Sequence, residues 1–231
     1  VQALLDGYVG SRQFAFASAA LVAGSDQTDY LNAGTLAFDS RVPADENTLC
    51  RIHSMSKPLT AAAAMTLIED GKLSLDQPVA DVFPSWKAMT VATNPDVNLD
   101  SRPARTVPTM RHLLTHSAGL TYGFLYNDKL AAAYNEHGIT PGANRPAAIG
   151  DTTGRQAHSL AEMMDRLGEL PLMFDPGTQW HYSIGLDAMG AVIEKVSGQG
   201  FDEFLRERLF DPLDMASTGF VVAPKDYARF A

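Results

Sequence analysis

Four residues, Ser54-Met55-Ser56-Lys57, put a serine and a lysine three positions apart, with a proline directly after them. A serine hydroxyl is a weak nucleophile until a neighbour takes its proton, and a lysine does so once burial or a nearby cation lowers its pKa. On a helix, positions i and i+3 share a face, so Lys57 can reach the Ser54 hydroxyl. A helix start adds partial positive charge, which favours an alkoxide and the oxyanion that develops in acyl transfer. The same residues also fit a plain helix start, with Ser54 as N-cap and Lys57 as a solvated first-turn residue. Ser-x-x-Lys arises roughly once by chance in a chain of this size, so its surroundings must decide.

Other residues invite other chemistry. His116-Ser117 and His181-Tyr182-Ser183-Ile184-Gly185 each bring serine beside histidine. The second falls short of Gly-x-Ser-x-Gly because His181 stands where the tight nucleophile turn needs its first glycine. The six histidines (His53, His112, His116, His137, His158, His181) contain no His-Glu-x-x-His, so zinc is not expected. His112 and His116 are four apart on a predicted helix and could ligate a metal, although such a pair is more often structural. Neither a metal nor a cofactor is expected. The single cysteine, Cys50, excludes an intramolecular disulfide framework. Its apolar neighbours predict a buried, inert thiol.

These residues need a fold to position them. The chain has 231 residues and is 45% hydrophobic, enough for a core. The net charge of −9, with no basic cluster, argues against nucleic acid as a partner. No stretch approaches the roughly 20 apolar residues of a membrane helix. A membrane is therefore not an expected partner, and the expected compartment is the cytoplasm. The first residue is Val1, which leaves periplasmic or secreted placement open. Apolar spacing predicts a helix at 1–10, strands at 14–23 and 30–36 joined by a turn at Gly24-Ser25-Asp26, and a third short strand at 48–52. The firmest helix is 57–70, closed by Gly71 and small-sided enough at Ala61–Ala64 to be buried all round. Pro58 is compatible with its first turn. Short helices follow at 77–83, 109–115, 127–137 and 159–167, the last with a Ser159–Glu162 capping box. Long loops separate them at 93–106 and 138–158, and no comparable strand pattern appears between them. Helices at 183–196 and 201–210 end the pattern.

Four blocks of this sequence resemble those of the serine β-lactamase and penicillin-binding-protein superfamily. They are SMSKPLTAAAAMTLIEDGKLSLDQPV (54–79), VPTMRHLLTHSAGL (107–120), DPGTQWHYSIGLDAMGAVIEKVSG (175–198) and LFDPLDMASTGF (209–220). Within that superfamily the chain is similar to the class C β-lactamase-like branch, and best to its family VIII carboxylesterases. The resemblance implies an α/β (α+β) fold: an antiparallel sheet flanked by helices, plus an all-helical domain. It divides the chain into an N-terminal part of the α/β domain with the nucleophile helix (1–75), a helical domain with long loops (76–175), and tyrosine-motif helices leading back toward the α/β domain (176–231). It also implies that further sheet strands, with a third catalytic motif, follow residue 231 or come from a second chain; oligomeric state is not legible.

By the same resemblance Ser54 matches the acylated nucleophile, Lys57 the lysine that keeps the serine deprotonable, and Tyr182 the tyrosine that shuttles the proton. A phenol can do this near neutral pH if a cation such as Lys57 stabilises its anion. The lactamase motif is Tyr-x-Asn, whereas this chain has Tyr182-Ser183-Ile184. Losing the amide favours esters over β-lactams. Tyr122, Trp180 and Ile184 are candidate substrate-binding residues, and the aromatics could equally be interface core. The implied activity is ester hydrolysis through an acyl-enzyme on a small-molecule ester. β-Lactamase or D-amino-acid peptidase activity, acyl transfer, and a non-catalytic penicillin-recognising relative are the alternatives.

Overall fold

A computed structural model describes residues 1–24, 27–126, 128–140 and 156–231. The turn residues Ser25 and Asp26, the start of the helix expected at 127–137 and most of the loop expected at 138–158 lie outside the described residues. The described chain forms two compact units, Val1–Ser54 with Ala216–Ala231, and Met55–Met215.

In the first unit, α1 (Gln2–Gly10) packs on an antiparallel pair, β1 (Phe16–Val22) and β2 (Thr28–Gly34). The register runs from Phe16 opposite Gly34 to Val22 opposite Thr28. Gly34 ends the pair at φ 88°, and a side chain there would run into the Ala15 carbonyl, so the position requires glycine. The third strand expected at 48–52 does not form. Leu49 instead makes a single parallel bridge with Phe230. Arg229 braces that bridge, donating to the Asn47 carbonyl (2.7 Å) and to Asp226 (3.0 Å). With the stretch tied at one point, Cys50 is exposed, contrary to the buried thiol expected.

The second unit holds the core. Its first helix, α2 (Ser56–Glu69), carries Pro58 as its third residue, where a missing N–H costs no helical bond. It ends in a paired closure: Lys72 N–H donates to Leu67 O (2.9 Å) and Gly71 N–H to Ile68 O (3.0 Å), with Gly71 at φ 70°. The expectation of all-round burial was too strong. Thr60, Ala63, Ala64 and Leu67 are buried, while Ala62 and Met65 face outward. An alanine run has no strong apolar stripe, so composition alone could not tell one face from all of them.

The expected helix at 77–83 shrinks to a 3₁₀ turn, Val79–Asp81, after Pro78. A strand pair that the sequence did not show follows: β3 (Thr90–Ala92) and β4 (Ser101–Pro103), antiparallel, with Val91 also bridged to Leu172. Three-residue strands are too short to display alternation. The remaining helices are α3 (Met110–Leu114), α4 (Lys129–Glu136), α5 (Leu160–Gly168), α6 (Gly185–Ser197) and α7 (Phe201–Leu205), which runs on as a π-helical turn, Arg206–Phe210. Ser159 accepts the Glu162 N–H (3.1 Å), while Glu162 accepts the His158 N–H (2.8 Å), one residue outside the usual box.

α6 is the hub. Leu186, Ala188, Met189, Ala191, Val192 and Ile193 are all buried in one cluster with Leu67 of α2, Leu113 of α3 and Leu167 of α5. Each fully buried Leu or Ile contributes about 1.5–3 kcal/mol relative to exposure. Trp86 is fully buried, and its indole N–H donates to the Met164 carbonyl at 2.9 Å. Among the described residues, no helix is long and apolar enough to cross a membrane.

Candidate active site

Ser54 is the middle residue of a 3₁₀ turn, His53–Met55, that runs directly into α2 at Ser56. It is exposed, and His53 before it has a left-handed backbone (φ 44°). Lys57 is the second residue of α2 and half-buried.

Within the Met55–Met215 unit, Lys57 stands against two tyrosines. Its Nζ is 4.9 Å from the Tyr182 ring centroid and 5.5 Å from that of Tyr122. The two rings are 5.6 Å apart. A cation this close to aromatic faces is attracted by about 0.5–2 kcal/mol, depending on how dry the contact is. Tyr122, expected in a substrate pocket, is buried beneath this cluster, and its hydroxyl donates to Asp187 at 3.3 Å. Burial, then the Asp187 charge, raises the Tyr122 pKa, so this phenol stays neutral. Asp187 sits in the first turn of α6. Burial pushes its pKa up, while the Lys57 charge and the Tyr122 hydroxyl pull it down.

Tyr182 is carried by a loop anchored at its base. Asp175 accepts two hydrogen bonds from Arg102 (3.0 and 2.7 Å) and one from the Arg105 N–H (2.8 Å). These partners, the Arg102 guanidinium foremost, hold its carboxyl down at about 2. Gly177 turns the loop at φ 84°, where a side chain would press on the His112 imidazole. Further along, the Tyr182 carbonyl accepts the Tyr126 hydroxyl (3.2 Å), and the Ile184 N–H donates to Thr121 O (3.3 Å). Gly185 then lets α6 start close beside α3; an added Cβ would lie 2.6 Å from the Leu113 carbonyl.

Trp180 is 68% exposed, with its ring 6.4 Å from that of Tyr182. Ile184 departs from expectation. It is fully buried at the start of α6, in the core and not on a substrate-facing surface.

The residues behind the Ser–His alternative do meet: His116 Nδ1 is 3.3 Å from Ser183 Oγ. Ser183 is 1% exposed, however, so its hydroxyl is closed to an incoming ester. The pair behind the metal alternative does not share a helical face. α3 ends at Leu114, and His116 lies beyond it in left-handed backbone (φ 55°), off the helical face of His112. The His112 Nδ1 accepts the Thr109 N–H (3.2 Å). Among the described residues no group of three potential ligands is arranged for a metal. Asp187 was not singled out from sequence. An acidic residue five after Tyr182 reads as an ordinary first-turn charge until burial is known.

The Beta-lactamase family matches the chain over residues 1–231, and the chain belongs to that family. Esterase EstB of Burkholderia gladioli is 34% identical over 213 residues, covering 92% of this chain and 48% of EstB. Lovastatin esterase of Penicillium rubens is 32% identical over 198 residues, 84% of this chain and 45% of that protein. Among solved structures, EstCE1, a hydrolase with promiscuous acyltransferase activity, superimposes with a TM-score of 0.81 at 26% identity, over 100% of this chain and 54% of EstCE1. The chain thus spans about half the length of the curated relatives it matches. The mixed α/β architecture with small antiparallel sheets is that of the β-lactamase-like fold.

Proposed function

We propose that this chain carries the nucleophile and the base of a serine hydrolase acting on carboxylic esters through an acyl-enzyme. Ser54 Oγ attacks the ester carbonyl as its proton passes to the Tyr182 oxygen. The tetrahedral intermediate collapses, and the leaving alkoxide takes that proton, giving a free alcohol and acyl-Ser54. A water then attacks the acyl carbon, loses its proton to Tyr182 and releases the acid, while Ser54 Oγ recovers the proton. Lys57 makes the cycle feasible near neutral pH by stabilising the phenolate form of Tyr182. The observation that carries this reading is the Lys57 ammonium lying against the Tyr182 ring at 4.9 Å, one residue into the helix that follows Ser54.

The esterase names of two relatives support esters as the substrate class. A second reading, transfer to an alcohol in place of water, is supported by the acyltransferase activity named for EstCE1. A fluorophosphonate probe followed by peptide mass analysis tests the nucleophile; label on a serine other than Ser54 rejects the assignment. Turnover of a short p-nitrophenyl ester in the presence of an added alcohol, with acid and new ester both quantified, separates hydrolysis from transfer. A higher kcat/KM for a chromogenic cephalosporin than for the ester would reject the ester reading.

A further inference from the structure

The two peptides flanking Tyr182 both hydrogen-bond to a single residue. The His181 N–H donates to the His116 carbonyl at 2.9 Å. The Ser183 N–H donates to the His116 Nδ1 at 3.2 Å. The imidazole itself lies against the Tyr182 phenol, with centroids 4.7 Å apart and planes at 46°. We infer that His116 is a positioning residue, which fixes the Tyr182 phenol by clamping the backbone on both sides of it and packing its own ring against it. The inference rests on the reading of Tyr182 as the proton shuttle.

The backbone of His116 explains how one residue does both. It follows α3 in the left-handed region, φ 55°, which most side chains avoid but His and Asn tolerate. In that conformation the carbonyl and the side chain both engage the 181–183 segment, while the next residue, Ser117, donates its N–H back to the His112 carbonyl (3.0 Å). The ring edge also meets Trp180, with centroids 6.1 Å apart.

The bond to Ser183 dictates a charge state. Nδ1 accepts an N–H, so it holds a lone pair there, and the neutral ring carries its proton on Nε2. The groups facing this ring agree with neutrality: Lys57 from α2 and His181 and Tyr182 from the loop, with Ser183 Oγ as the other neighbour of Nδ1. Burial lowers the His116 pKa, and the Lys57 charge lowers it further. An imidazolium would present N–H at Nδ1 and oppose the Ser183 N–H head-on. A histidine that only filled space would not need this tautomer.

The test uses the full chain and two substitutions that both suit the left-handed backbone. His116→Gly removes the ring, and His116→Asn keeps a carbonyl oxygen near the Nδ1 position. The expected result is a loss of about 30-fold or more in kcat for His116→Gly, with KM within about threefold of wild type. His116→Asn should recover about tenfold of that loss. The ¹³Cζ resonance of Tyr182, assigned with Tyr182→Phe, should shift in His116→Gly and return toward wild type in His116→Asn. A cooperatively melting His116→Gly with wild-type kcat and an unmoved Tyr182 resonance overturns the inference, as does an Asn variant no better than Gly. Should the glycine variant fail to fold, the ¹⁵N spectrum of the wild-type imidazole decides: the Nε2–H tautomer near pH 7 supports the clamp, and a proton on Nδ1 overturns it. Both spectra read His116 and Tyr182 without turnover. A wild-type protein that neither hydrolyses esters nor takes probe at Ser54 would therefore sink the proposed function, while the two spectra would still decide whether His116 fixes the Tyr182 phenol.

Discussion

Ser54 and Tyr182 stand just before two helix starts that are built differently. Neither helix has a side-chain cap, but the turn leading into α2 is exposed at His53, Ser54 and Met55. The segment leading into α6 is stitched residue by residue: His181 to His116, Tyr182 to Tyr126, Ser183 to His116 and Ile184 to Thr121. The first residues of α6 are themselves buried. For a proposed nucleophile that must admit esters of varied shape, an exposed turn is serviceable. For a proposed base, the proton must travel along a fixed short path, and effective geometry tolerates little drift. The difference teaches that burial is concentrated on the proposed proton-transfer side.

The largest expected effect tests the open end. Ser54→Ala should lower kcat/KM on a short aryl ester by about 10³-fold or more, because the covalent route is removed. Ser183→Ala keeps the backbone N–H that reaches His116 and should stay within about threefold of wild type. The opposite ranking in a kcat/KM comparison would transfer the nucleophile to the stitched segment and erase the contrast.

Next comes the base. Tyr182→Phe removes one oxygen while keeping the ring against His116 and Lys57. The expected loss is about 10²-fold or more in the acylation rate, read from the pre-steady-state burst, with an unchanged cooperative melt. Wild-type burst kinetics would reduce Tyr182 to packing.

A smaller effect should separate the two helix starts by stability alone. Gly185→Ala forces a Cβ to within 2.6 Å of the Leu113 carbonyl, a backbone atom that cannot swing away. Overpacking of this kind costs about 1–3 kcal/mol. Chemical denaturation should show that loss, with a fall in kcat as the Tyr182 segment shifts. Ala62→Gly, on the exposed face of α2, should cost only about 1 kcal/mol through backbone entropy and leave kcat unchanged. Equal effects on kcat would mean that the stitched end is no more sensitive than the open one.

How far the sequence disclosed this arrangement follows from the range of each signal. Helices α2 and α6 were legible because the Gly71 and Gly198 closures and their helix-forming, apolar compositions are local. Ser54, Lys57 and Tyr182 were singled out as candidates through sequence blocks, not through spacing, since 128 positions separate Ser54 from Tyr182. What stayed hidden depends on long-range packing. β3 and β4 are three-residue strands, too short to show alternation, that pair with each other across the intervening loop. Ile184 looked substrate-facing because it replaces an amide, yet the helix start that it caps points it into the core. His116 looked like half of a Ser–His pair or a metal ligand. Its left-handed backbone, which no local pattern announces, gave it a different set of partners.

The smallest effect is a pH dependence that arises from the stitched side. His112, His116 and His181 all have pKa values lowered from 6.5, with burial the leading cause in each. In the unfolded chain these rings take up protons near pH 6.5, while in the folded chain they resist until lower pH. Between those values the unfolded state binds more protons, so stability must fall as the pH drops below about 6.5 and must level off above it. Asp175 behaves differently. Its carboxyl is depressed from 3.8 to about 2, so its contribution is complete above 3.8 and is lost only as the pH falls through the folded value. A decline that begins as the pH falls below about 6.5 therefore belongs to the histidines, and a separate decline below about pH 4 to the carboxylates. Melting temperatures taken from about pH 8 downward should show both steps. His116→Asn, which takes up no proton, should shallow the first step and leave the second in place. A profile flat to about pH 4 would show that the three imidazoles titrate alike in folded and unfolded chains, and that the stitched end bears no cost for burying them.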